Sequence, residues 1–148
     1  MLKTKIRTDL KLDQSLLELV EKKMKINGMN YNDADYDTLE DELHDMEDAF
    51  IEKYGALLEE VLQDVHDEFC SDNDVLLPTA YIANKYIKTG VDAQGKSTYD
   101  VDFKDGIQVD VDEFPGKDSR LVLMPNPTRI LLTVNNISKE VVWTAESN

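Results

Sequence analysis

Four aspartates at alternate positions are the residues of this chain best spaced for metal chemistry. Tyr99, Val101 and Phe103 alternate with Asp100 and Asp102, while Ile107, Val109 and Val111 alternate with Asp110 and Asp112. A period of two puts the apolar set on one face of a strand and the carboxylates on the other. Read as one hairpin with the three-residue loop Lys104 to Gly106, the two strands set Asp100 opposite Asp110. Like charges so placed repel, and something must compensate them. A divalent cation takes carboxylate oxygens from adjacent strands, which makes Asp100, Asp102, Asp110 and Asp112 the candidate metal ligands. Arg120 or Lys117 would compensate equally well as an ordinary ion pair, which is the simpler account. No cofactor beyond such a cation is called for.

A second array surrounds His44, with Asp41 three residues before it, Glu47 three after and Asp48 four after. On a helix these side chains occupy neighbouring turns. Carboxylate-bridged metal helices need ligands from four helices, more than this chain supplies, so only a surface site remains. His66, with Gln63 and Asp67 nearby, repeats the pattern more weakly. The plain expectation is a solvated acidic face carrying two histidines. Asp33, Asp35 and Asp37 have the spacing that opens an EF-hand loop, but Thr38 stands where the turn glycine is needed and His44 where the bidentate Glu belongs. That reading fails.

The census for enzyme chemistry is thin. There is no GxSxG, no glycine-rich phosphate loop and no HExxH, and both histidines fall in the acidic stretch. The single Cys70 has no disulfide partner, and carboxylates around it raise a thiol pKa, making it a poor nucleophile. No catalytic residue is named, and the balance lies against an enzyme.

These residues need elements to hold them. Residues 2 to 12 alternate in period two, a half-buried strand. Asp13 then caps a helix carrying Leu16, Leu17, Val20 and Met24 on one side, and Gly28 closes it. Thr38 reads as the cap of a long helix whose stripe is Leu39, Leu43, Met46, Phe50, Leu57, Val61, Val65 and Phe69, with Gly55 as a place for a kink. Val75 to Gly90 is ambiguous between helix and strand, and a short third helix from Pro78 with Ala80, Ile82, Ala83, Tyr86 and Ile87 inward is the favoured reading. Strands follow at 97 to 103, 107 to 112, 119 to 124, 129 to 134 and 139 to 145, divided by turn signals such as Pro115-Gly116 and Pro125-Asn126-Pro127. The expected fold is α+β in a single domain, 1–148: an antiparallel sheet of five or six strands, mostly a C-terminal meander plus the N-terminal strand, packed on one face by two or three helices.

Charge gives the strongest functional lead. The chain has 148 residues, 31 acidic and 16 basic, for a net charge of -15. Residues 32 to 74 hold 17 acidic residues against the lone Lys53, a sum of -16, while residues 1 to 31 give +3 and 75 to 148 give -2. One segment therefore carries the whole excess. With no basic patch, nucleic acid is disfavoured as a ligand. No apolar run approaches the roughly 18 residues of a membrane span and no signal-peptide stretch opens the chain, so a cytoplasmic protein is expected.

An acidic helical surface steers basic partners. Asp41, Asp45, Asp48, Glu52 and Glu59 are the expected partner-binding residues. Close DNA mimicry is disfavoured, because the 12 carboxylates between Glu40 and Glu68 span about 43 Å, over which duplex DNA carries about 25 charges. The expectation is a non-enzymatic interaction protein, an adaptor, chaperone or inhibitor with a basic protein partner. The alternative is a divalent-cation-binding domain or metal-dependent enzyme on the Asp100, Asp102, Asp110 and Asp112 face. Strands with apolar residues on both faces, Leu121 to Met124 and Val141 with Trp143, are compatible with a homodimer.

Overall fold

Apolar periodicity decides the helices. In the computed structural model, which describes residues 7, 8, 10–135 and 137–147, helix α1 runs Leu10–Asn27. Leu12, Leu16, Leu19 and Val20 lie almost wholly out of solvent along it, at the three- and four-residue spacing of one helical face. The alternation that predicted a strand over residues 2 to 12 is thus overridden from Leu10 onward, because Leu12 also fits the helical period. Only Arg7–Thr8, β1, is strand, in a parallel pairing with β8, Glu146–Ser147; residues 1–6 and 9 lie outside the described residues. Asp13, expected as the cap, sits inside the first turns, where its carboxylate accepts a hydrogen bond from the Thr128 N–H at 3.0 Å. It ties the helix to the sheet.

Helix α2 is a single helix over Tyr36–Phe69, starting two residues before the expected cap Thr38 and uninterrupted at Gly55. Gly55 is buried, so the missing side chain is offset by close packing there. Phe50, Tyr54, Leu58, Val61, Leu62 and Val65 are the buried ridge. The flanking Leu43, Met46, Leu57 and Phe69 are partly covered.

The expected third helix does not form. A single 3-10 turn occupies Pro78–Tyr81, and the chain then enters strand β2, Tyr86–Val91. The β-branched residues Ile87, Thr89 and Val91 favour strand over helix, and Ile87, expected inward on a helix, is exposed. β2 pairs antiparallel with β3, Ser97–Val101, in a two-stranded ribbon with Ile87 opposite Asp100. A four-stranded antiparallel meander follows: β4 (Ile107–Val109), β5 (Ser119–Met124), β6 (Arg129–Val134) and β7 (Ser138–Thr144). The α+β architecture with a C-terminal meander is as expected, its strands divided between two sheets, with a short β1–β8 pair besides.

The predicted hairpin of 97 to 103 with 107 to 112 is not formed. β3 takes β2 as its neighbour, and β4 pairs with β5, setting Gln108 opposite Arg120. Asp100 and Asp110 therefore do not face each other. The sequence reading went wrong by leaving β2 out, which gave β3 the wrong partner. β5 and β6 are buried on both faces, the pattern of central strands with cover on each side.

At Gly106 the backbone has φ +103, and an added Cβ would lie 2.4 Å from Val122 Cγ2 and 2.6 Å from the Leu121 carbonyl oxygen. Both the dihedral and the contact forbid a side chain. Gly106→Ala is expected to cost more than about 2 kcal/mol in chemical denaturation; a change below about 0.5 kcal/mol, the usual size of surface substitutions, would contradict this packing.

Candidate functional site

Helix geometry turns the acidic segment into a surface. At about 100° per residue, Asp41, Asp45, Asp48, Glu52 and Glu59 fall within about 60° of one another and span about 27 Å along α2. All five are exposed. The buried ridge from Phe50 to Val65 lies roughly opposite, so burying one side delivers the other to water. In all, α2 carries 13 Asp and Glu against Lys53.

The stripe is left without internal compensation. Among the described residues the ion pairs are Lys22 with Glu42, Arg120 with Asp118, and Lys139 with Asp100, none of them involving those five carboxylates. Lys53 is turned over the Tyr54 ring, with Nζ 5.3 Å from its centroid. Neighbours such as Asp41 with Asp45 and Asp48 with Glu52 therefore repel at the four-residue spacing, by a few tenths of a kcal/mol per pair.

The four candidate metal ligands fall on two parts of the fold, Asp100 on β3 with Asp102 just after it, and Asp110 and Asp112 just past β4. Asp100 Oδ1 meets Lys139 Nζ at 3.2 Å and accepts the Val101 N–H at 2.8 Å. Asp102 accepts the Lys104 N–H at 2.9 Å in a tight turn. Asp112 stands at the far end of α2, its N–H donating to the Phe69 carbonyl at 2.9 Å and its carboxylate accepting from Ser71 Oγ at 3.3 Å. The Asp110 N–H donates to Asn73 Oδ1 at 2.7 Å. Compensation of Asp100 falls to Lys139, not to Arg120 or Lys117, and Arg120 instead bonds Asp118 and the Lys104 carbonyl. Among the described residues no three of His, Cys, Asp and Glu are placed to hold a metal ion.

The two histidines part company. His44 is exposed at the edge of the acidic stripe, as expected, but His66 is 1% exposed. Its Nδ1 donates to the Asn73 carbonyl at 2.8 Å, and its Nε2 accepts from the Tyr81 hydroxyl at 2.8 Å. The Tyr81 oxygen in turn accepts the Leu76 N–H at 3.1 Å. The Asn73 carbonyl can only accept, which places a proton on Nδ1. The signal in the sequence was the four-residue spacing Leu62, His66, Cys70, which continues an apolar face. His66 is a structural pin between α2 and the segment that follows it.

Cys70 is fully buried. Burial pushes its thiol up to about 11, with Asp112 and then Asp110 adding to the effect. The contributing carboxylates come from the segment past β4 and not from the helix end beside Cys70 in sequence, and dehydration is the larger cause. Tyr86 is raised by burial as well; its hydroxyl donates to the Leu123 carbonyl and accepts the Ala83 N–H. Arg129 is half-buried and lowered by dehydration, its guanidinium donating to the carbonyls of Pro125 at 2.9 Å and Pro127 at 3.0 Å. Tyr86 and Arg129 tie loops of the fold to the sheet.

Comparison with known proteins returned no match: no protein-family model, curated protein or solved structure corresponds to this chain. No helix among the described residues is long and apolar enough to cross a membrane.

Two outcomes follow from the buried groups. Because the fold keeps Cys70 neutral, its contribution to stability is complete below the ordinary thiol value near 9 and is lost as pH rises through about 11. Alkylation by iodoacetamide at pH 8 should accordingly be about 100-fold slower in the native protein than in urea, and equal rates would refute the buried thiol. Tyr81→Phe leaves His66 Nε2 and the Leu76 N–H without a partner and should cost about 1–3 kcal/mol by urea melt.

Proposed function

We propose that this chain is a non-enzymatic interaction protein, an adaptor, chaperone or inhibitor, which presents the acidic face of α2 to a basic protein partner. One observation carries the reading: five exposed carboxylates share one side of a rigid helix, and none of them is paired with a cation of the chain among the described residues. A helix optimised for its own stability would intersperse Lys at four-residue steps. This one leaves the repulsion in place, and the partner's cations are what would relieve it.

Such a face acts mainly at close range, since the Debye length is about 10 Å at 0.1 M salt. Cations on the partner raise the association rate and make it sensitive to ionic strength. The test is capture of partners from the native cell lysate at low and high salt, by the native chain and by a variant carrying Asp41→Asn, Asp45→Asn, Asp48→Asn, Glu52→Gln and Glu59→Gln. Basic proteins should be retained by the native chain at low salt, shed at high salt and lost from the variant. The variant should melt no lower than the native chain, because its substitutions remove only repulsion. Retention of the same proteins by both chains, or of nothing by the native one, would overturn the proposal.

A further inference from the structure

The acidic stripe has an apolar groove along one flank. Between helices α1 and α2 lies a cleft of about 190 Å³, apolar at Leu19, Met46 and Phe50 and edged by Glu18 and Lys53. The engineered apolar cavity that accepts a benzene ring is about 150 Å³, so this cleft has room for one large side chain. Phe50 and Leu19 form its dry floor, at 4% and 1% exposure. Tyr54 stands in its wall, 7% exposed, with a hydroxyl that is buried and has no hydrogen-bond partner.

The cleft and the stripe are joined by Ala49. On the helical wheel of α2, Ala49 lies between the stripe, at Asp45 and Glu52, and the groove, at Met46 and Phe50. It is exposed and also lines the groove. A small residue there lets another backbone approach closely. One incoming helix lying on Ala49 would reach both sides, with its apolar residues toward Met46 and its cations toward Asp45, Asp48 and Glu52. Charge selects the occupant: Asp45, Asp48 and Glu52, with Glu18 at the cleft, outnumber the single Lys53 there and favour Lys or Arg along one side of the visitor.

We infer that the α1–α2 groove is the seat of a basic amphipathic helix of the partner, which inserts one large apolar side chain beside Met46 while its cations line the acidic stripe. This rests on the docking role proposed for α2 and makes it specific: helical order in the partner matters, and not charge alone. An extended or disordered cationic chain would gain the electrostatic attraction without the groove.

The test uses two 18-residue Leu/Lys peptides of identical composition, one with Leu at helical spacing and one scrambled, titrated into the full chain at 150 mM salt by fluorescence anisotropy. The amphipathic peptide should bind at least tenfold tighter than the scrambled one and should shift the Met46 methyl resonance, which the scrambled peptide leaves in place. Ala49→Gln, a substitution at an exposed helical position, should reduce the tenfold advantage to less than threefold and leave the affinity of the scrambled peptide unchanged. Equal affinities for the two peptides would overturn the groove and leave the acidic docking face standing. A preference that survives Ala49→Gln without movement of Met46 would overturn it too, by placing the apolar contact elsewhere. Binding of neither peptide would remove both the groove and the docking role of α2.

Discussion

Everything in this chain depends on α2 being held by one side. The helix is about 51 Å long, and its 13 carboxylates would push an isolated helix of this sequence apart. Burial decides the contest. Phe50, Tyr54, Leu58, Val61, Leu62 and Val65 are nearly solvent-free, each contributing about 1.5–3 kcal/mol gross, whereas each like-charged neighbour pair costs a few tenths. Helix α1, about 27 Å long, and the 3-10 turn Pro78–Tyr81 both pack against α2. The acidic face is thus a by-product of where the apolar residues must go, and its uniformity in sign is what calls for a function.

The polar contacts at the C-terminal end of α2 do a different job. His66, Asn73 and Tyr81 form a bonded series that fixes the chain as it leaves the helix, and Asn73 continues it to the Asp110 N–H just past β4. Every member has a partner, so the group specifies one arrangement and costs little by being buried. Cys70 belongs to the same region, and its raised thiol is one more sign of how dry that end is.

Much of this was legible in the residues. The ridge of α2 and its acidic face follow from three- and four-residue spacings, and β5, β6 and β7 follow from alternation between clear turn signals. What failed was arbitration between two periods that the same residues satisfy. Leu12 fits both a strand of residues 2 to 12 and a helix, and contact with the core gave it to the helix. Tyr86 and Ile87 fit both a third helix and a strand, and β-branched neighbours gave them to β2. The consequence propagates: without β2, β3 has only the 107 to 112 segment to pair with, and Asp100 is set opposite Asp110, a pairing the sheets do not make. The burial of His66 was encoded only in its spacing from Leu62 and Cys70, a signal that its polar neighbours Gln63 and Asp67 obscured.

The way the four-stranded sheet ends has a consequence for self-association. Just past β4 the Asp110 and Asp112 N–H groups are taken up by Asn73 Oδ1 and by the Phe69 carbonyl at the end of α2, and from β7 Lys139 reaches across to Asp100 and to the Val101 carbonyl, its ammonium 4.6 Å from the Phe103 ring centroid. An edge occupied by a helix end or guarded by an inserted lysine is a poor template for another strand. β2, with no second strand partner among the described residues, is broken in register between Lys88 and Gly90, and such a bulge bends a strand away from flat stacking. Each of these features works against the flat, open edge on which strands stack from one copy to the next.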